Sequence, residues 1–239
     1  MGTRVVSLVP SATETLIAIG VTPVACTRFC EQPGLPTVGG TKNPDVEAIV
    51  GCAPDVVVMN DEENRVEDLR ALTAAGIAVH DMSPHSVSAV GPAVAALCER
   101  VGVATPSPFG AGEWDAWMAS VRAHHRQDAF VAVWRRPWMS LAVDTYGASL
   151  LALLGVGNVF ASATDRYPEV TLDAVAQRAL DIVILPSEPY AFAERHAAEV
   201  RAALGDVPIA FVDGQDLFWW GIRTPAAADR LRGALPPLV

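Results

Sequence analysis

The feature that most constrains this chain is an internal echo. The segment Asp55-Val-Val-Val-Met-Asn-Asp-Glu62 and the segment Asp181-Ile-Val-Ile-Leu-Pro-Ser-Glu188 share one spacing of acidic lead, apolar run and polar tail. Their surroundings repeat as well: VVSLV (5–9) reappears as FVAVW (130–134), ETLIAIGV (14–21) as SLLALLGV (149–156), and Pro44-Asp45-Val46 as Pro168-Glu169-Val170. Short continuous apolar runs bounded by turn residues mark strands buried on both faces, and their alternation with helical patterns implies parallel sheets flanked by helices. The repeat is far longer than that of a solenoid, so it predicts two similar lobes.

Between the halves lies EWDAWMASVRAHHR (113–126), read as a single bridging helix. Trp114, Trp117, Met118, Val121 and His125 share one face at helical spacing, which predicts a buried stripe, and His124 and His125 fall at the end where cations suit the helix dipole. The expected organisation is an N-terminal lobe over 1–104, a linker and bridging helix over 105–127, and a C-terminal lobe over 128–239. At 239 residues each lobe is large enough to bury its own core.

Local signals sharpen the element boundaries. Ser11-Ala12-Thr13-Glu14 matches a capping box, with Gly20 closing the helix that follows. Asn43 reads as an N-cap with Pro44 as the first helical residue.

A net charge of -10 and a single lysine, Lys42, exclude nucleic acid and anionic lipid as partners. No apolar run is long enough to span a membrane. Cys26, Cys30, Cys52 and Cys98 have no diagnostic spacing and read as free thiols. His80 and His85 match no metal-ligand spacing, so no metal site is assigned. No nucleophile with a base partner is recognisable, so the reading is non-enzymatic.

Ligands of parallel sheets sit beyond the carboxyl ends of the strands, which for two such lobes means a cleft between them. Residues in those positions include Arg28, Phe29, Lys42 and Asp61 from the first half. From the second come Trp134, Arg135, Trp138, Tyr146, Tyr190, Trp219, Trp220 and Arg223. Aromatic side chains concentrated in strand-end loops suit a flat, partly apolar ligand, whereas the arginines suit either a carboxylate or phosphate or a surface ion pair. Trp219 and Trp220 also fit a C-terminal hydrophobic plug.

Several stretches resemble the helical-backbone (class III) substrate-binding proteins of ABC importers for cobalamin, haem and ferric siderophores. RVVSLVPSATETLIAIG is similar to that family's first strand and helix, and VGGTKNPDVEAIVGCAPDVVV to its glycine turn, helix and next core strand. DTYGASLLALLGVGNVFA, YPEVTLDAVAQRALDIVILPSEPYAF and DGQDLFWWGIRTP resemble a cobalamin-binding-protein-like branch. The resemblance implies capture of a corrinoid or another metal chelate such as haem or a ferric siderophore, with no cofactor required and limited lobe motion. It also implies a permease partner docked through one surface carboxylate per lobe, with Glu63 or Glu67 in the first and Glu194 or Glu199 in the second. The chain is expected to act as a monomer.

With no secretory signal before VVSLV the expected compartment is the cytoplasm, the alternative being an extracytoplasmic protein whose leader was removed. A rival reading is a cytoplasmic enzyme or regulator that reuses this architecture for a small anionic metabolite, in which Arg28, Lys42, Asp61 and Arg135 become the recognition set.

Overall fold

The computed structural model describes residues 2–123 and 126–236. Two compact units divide the chain: Met1–Pro84, Ser88–Asp115 and Trp220–Ile222 form the first, and His85–Val87, Ala116–Trp219 and Arg223–Val239 the second.

The first unit opens with β1 (Val5–Ser7), α1 (Pro10–Ala18), β2 (Ala25–Cys26) and a 3-10 turn at Arg28–Cys30. A small antiparallel pair, β3 (Gly39–Gly40) and β4 (Asn43–Pro44), leads into α2 (Val46–Gly51), β5 (Val56–Met59), α3 (Val66–Ala74) and β6 (Val79–Asp81). The sheet is wholly parallel in the order β2-β1-β5-β6. Val6, Val57 and Met59 from the strands and Leu8 just past β1 meet Ile49 of α2 and Leu72 of α3 in one apolar core. Then follow α4 (Val87–Val101) and α5 (Glu113–Val121).

The second unit contains β7 (Gln127–Val131), β8 (Trp138–Met139), α6 (Tyr146–Leu153), β9 (Val156–Asn158), β10 (Glu169–Val170) and α7 (Leu172–Ala176). It continues through β11 (Ile182–Pro186), α8 (Glu194–Leu204), β12 (Ile209–Val212), α9 (Gly214–Phe218) and α10 (Thr224–Ala234). Its parallel sheet has the order β12-β11-β7-β9, and β8 pairs antiparallel with β10 outside it. Counted by appearance, the main strands of each unit stand second, first, third, fourth. The α/β plan of two similar lobes with helix-flanked parallel sheets is thus present.

The echo extends to single hydrogen bonds. Arg4 N–H donates to the Asp55 carboxylate at 2.7 Å and Asp55 N–H returns to Arg4 O at 2.8 Å; Asp128 N–H and Asp181 repeat both bonds at the same two distances. The acidic residue ahead of each third strand is therefore a clasp that fixes its register on the first. Gly20 and Gly155, ending α1 and α6, both take φ of +84°, which only glycine adopts cheaply.

Four local expectations are corrected. VVSLV aligns with AFVAV (129–133), one residue earlier than the sequence comparison placed it, because Val5 pairs with Val56 where Ala129 pairs with Ile182. Apart from Ser7 both segments are apolar, so hydrophobicity alone does not distinguish the two alignments. The capping box at Ser11 does not form: α1 starts at Pro10, whose missing N–H costs nothing at a first helical position, and Ser11 lies buried inside the first turn. Asn43 and Pro44 are β4, and Asp45 caps α2 by accepting from Ala48 N–H at 3.0 Å. In the second unit Thr171 holds the same capping place before α7, so Val170, not Pro168, answers Pro44.

The bridging helix is also shorter than expected. α5 spans Glu113–Val121, and the division between units falls inside it, after Asp115. His124 and His125 lie outside the described residues. Among the described residues of the expected stripe only Trp114 is buried; it stacks on Phe109 with ring centroids 4.9 Å apart and packs so closely on Gly91 that a Cβ there would come within 2.4 Å of its side chain. Trp117, Met118 and Val121 are half-buried, since helical spacing states which residues share a face but not how much the neighbours cover.

Candidate ligand-binding surfaces

In the first unit the strand-end loops are built by hydrogen bonds. Asn64, 6 % exposed, is the hub: its Oδ1 accepts from Asn60 N–H at 2.9 Å, while its Nδ2 donates to Thr41 O at 3.0 Å and Leu8 O at 3.3 Å. One amide thereby joins the ends of β1 and β5 to the β3–β4 turn. Asn60 Oδ1 accepts from Glu63 N–H at 2.8 Å, and Asp61 N–H donates to Ser83 Oγ at 2.9 Å.

This frame positions the polar candidates. Lys42 is exposed and donates to Glu62 O at 2.5 Å. Arg28 lies over the exposed Phe29 ring, 4.7 Å from its centroid, and its guanidinium borders Gly40, where a Cβ would meet it at 3.0 Å. The turn beneath is anchored by buried Cys30, whose Sγ lies 3.1 Å from Thr13 Oγ1 and 3.3 Å from Thr27 Oγ1. The hydrogen bond between the two thiols lowers the pKa of Cys30, helped by these hydroxyls, and raises that of Cys26. Cys26, Cys30, Cys52 and Cys98 are all free.

The second unit solves the same problem with rings. Trp134, in the loop after β7, meets the edge of Tyr190 at 5.5 Å; Tyr190 leans on Phe192 at 4.7 Å; and Phe192 stacks on Trp138 at 5.7 Å and 11°. Phe130 continues the series, edge-on to both Trp138 and Phe160. Trp134 is the exposed end, at 41 %, and Phe192 the buried centre, at 6 %. Past Phe160 opens a pocket of about 400 Å³ lined by Phe160, Pro168, Glu169, Val170, Thr171 and Ala174. That volume falls within the range of small-ligand sites. The sequence reading missed Phe160 because β9, Val-Gly-Asn, has too few apolar residues to announce a strand.

The remaining candidates divide. Arg135 is committed to Glu199, its Nε and Nη2 lying 2.8 and 2.5 Å from Oε2, and it also bonds Tyr190; these partners raise its pKa. Arg223 caps the Trp219 ring at 5.0 Å and reaches Gln215 and the buried Asp216 carboxylate, which Arg230 holds as well.

Two candidates do not present a surface. Tyr146 is 3 % exposed with its hydroxyl 2.9 Å from Thr224 Oγ1, and burial pushes its pKa up. Trp220 belongs to the first unit and is 3 % exposed, beside Gly221, whose φ of +106° leaves Thr15 Oγ1 no room for a Cβ. Both rings serve packing. Of the docking candidates, Glu67 is exposed in the first turn of α3 and Glu194 pairs at the surface with Arg201, whereas Glu199 is tied to Arg135. Glu63 is half-buried in the Asn60 turn.

Two parallel sheets of one strand order, each bearing recognition-type side chains at its carboxyl edge, define a two-lobe binding protein of the α/β class. The chain belongs to the periplasmic binding protein family, whose pattern matches residues 5–199. It is 22% identical over 237 residues to a vitamin B12-binding protein of Vibrio cholerae, covering 95% of this chain and 85% of that one. Identity to the vitamin B12-binding protein of Salmonella choleraesuis is 24% over 194 residues, covering 76% and 71%. Among solved structures, the periplasmic vitamin B12 binding protein BtuF of Vibrio cholerae superposes with a TM-score of 0.78 at 20% identity, covering 98% of this chain and 96% of that one. The periplasmic heme-binding protein BhuT in complex with two hemes gives 0.80 at 21%, covering 97% of each. At such identities the superpositions establish the fold.

Proposed function

We propose that this protein is a non-enzymatic ligand-binding protein for a corrinoid or another flat metal chelate such as haem or a ferric siderophore. The observation that carries the reading is the aromatic series Trp134–Tyr190–Phe192–Trp138 at the carboxyl edge of the second sheet. Its exposed end, Trp134, offers a ring face and a ring edge to a planar apolar ligand. On the first unit Arg28, Phe29, Lys42 and Asp61 offer polar and stacking groups of their own, and on the second Trp219 with Arg223 offers a further aromatic group. The kinship to proteins named for vitamin B12 and for heme supports this ligand class.

The family's description as periplasmic supports an extracytoplasmic site of action and delivery to an ABC permease. Among the described residues no helix is long and apolar enough to cross a membrane. Glu67 and Glu194 are the proposed docking carboxylates, being exposed and free of the Arg135 clamp that holds Glu199.

Calorimetric titration with cyanocobalamin, cobinamide, haemin and a ferric chelate tests the reading. Saturable binding of at least one, weakened by about tenfold or more in Trp134→Ala, is the expected result; a tenfold loss corresponds to about 1.4 kcal/mol. Absence of heat and of any thermal shift with all four would overturn it.

A further inference from the structure

His196 lies one step behind the aromatic wall and is bonded at both ring nitrogens, to Tyr190 of the wall and to the backbone of Ala193. Its Nδ1 accepts from Ala193 N–H at 3.0 Å, closing the N-terminus of α8 as a third-position acceptor does. An Nδ1 that accepts carries no proton, so the neutral ring bears its proton on Nε2, 3.3 Å from Tyr190 Oη, and donates it there. The ring itself is packed edge-on against Tyr190 at 5.3 Å and Phe192 at 5.6 Å. It is 6 % exposed.

We propose that His196 is a positioning residue whose neutral imidazole holds Tyr190, and through it Trp134, in the ligand-competent arrangement, and that a second proton on Nδ1 releases the wall. This rests on the proposed contact of the ligand with Trp134. A protonated Nδ1 points a donor at the Ala193 N–H that it formerly accepted, so the loop from β11 to α8 loses the bond that seats it. That loop, residues 187–193, carries both Tyr190 and Phe192.

The charges facing the ring all bear on this step. Arg135 comes from the loop after β7, and Arg195 and Glu199 from α8 itself, while the Tyr190 hydroxyl comes from the loop after β11. In α7, packed along α8, the only ionisable side chain is Asp173. Burial first, then Arg195 and Arg135, disfavour the cation, and Glu199, already paired with Arg135, only partly offsets them. The folded state therefore lowers the histidine pKa below 6.5. A group with a lowered pKa of this kind contributes while neutral, so its hold on the wall is complete above pH 6.5 and is lost as pH falls through the lower folded value.

The test compares wild type with His196→Gln, which retains a side-chain acceptor at the third helical position but cannot titrate. In the ligand-free proteins, tryptophan fluorescence is followed from pH 8 to pH 5, and the Trp134 contribution is isolated by difference with Trp134→Phe. The expected result is a Trp134 transition below pH 6.5 in wild type that is absent in the glutamine variant. Cyanocobalamin and haemin affinities are then measured at pH 7.5 and pH 5. Binding by the wild type should weaken by about tenfold, and binding by the variant should stay pH-independent. A transition that persists in His196→Gln, or a wild type with none, overturns the role of His196. A wild type that shows the transition but binds neither probe at pH 7.5 overturns the ligand assignment alone.

Discussion

The carboxyl edges of the two sheets differ although the sheets beneath them match in strand order, in parallel register and in the Asp55 and Asp181 clasps. The first edge is a lattice of directed hydrogen bonds centred on Asn64; the second is a stack of rings centred on Phe192. Directed bonds hold backbone at fixed distances and leave Lys42 and Arg28 as separate polar probes. Rings pack by area, so the second edge is a continuous stack that runs from the exposed Trp134 to the buried Phe192. One scaffold thus carries two different edges, and what repeats is the buried strand core with its Asp55 and Asp181 clasps.

The largest effect should come from the aromatic edge. Phe192→Ala removes a ring 6 % exposed that contacts Trp138, Tyr190 and His196, and should cost about 3–5 kcal/mol in urea unfolding. A loss below about 1 kcal/mol would mean that the stack is decoration on an independently stable sheet. The counterpart on the polar edge is Asn64→Ala, which strands Thr41 O and Asn60 N–H together and should cost about 2–3 kcal/mol, with faster proteolysis in the 39–45 turn.

The clasps provide a matched pair. Asp55→Ala and Asp181→Ala each delete one bond of the same geometry at an exposed position, and each should cost about 1 kcal/mol. Markedly unequal losses would show that the two sheets are alike in shape and not in energetics. Smaller still is Trp134→Ala, whose ring is 41 % exposed; its stability cost should stay under about 1 kcal/mol while ligand affinity falls. Finally, among the described residues two histidines have a lowered pKa, His80 in the first unit by burial and then Arg100, and His196 in the second by burial and then its neighbouring arginines. Both contributions are whole above pH 6.5 and decline below it, so the urea midpoint should be flat near neutrality and fall toward pH 5, less steeply in His80→Gln and His196→Gln.

Much of the scaffold was legible before any coordinates. Runs such as DVVVMN and DIVILP are too apolar to be anything but doubly buried strands, and their spacing announced the duplication. Gly20 closing α1 was legible because a left-handed residue has few chemical alternatives. Capping misled at Ser11 and Asn43, where several polar residues stand within three positions and the neighbouring proline decides among them. The candidate surface was half legible. Trp134, Trp138 and Tyr190 were recognised as strand-end aromatics, but Phe160 and His196 were not, the one because its strand is too short to show a pattern, the other because its importance lies in partners three and six residues away.

What the sequence determined by itself is the periodic part: two α/β units of one plan, their buried strands, and the enrichment of rings after the strands. These follow from local spacing, because burial on one face or two imposes a period that any window of ten residues displays. Only the tertiary structure decided the rest: the one-residue alignment of β1 with β7, fixed by their partner strands, the burial of Trp220 in the first unit and the engagement of Arg135 by Glu199. Each depends on which distant segment supplies a neighbour, and a hydrogen-bond partner or a covering surface brought in from far along the chain leaves no trace in local composition.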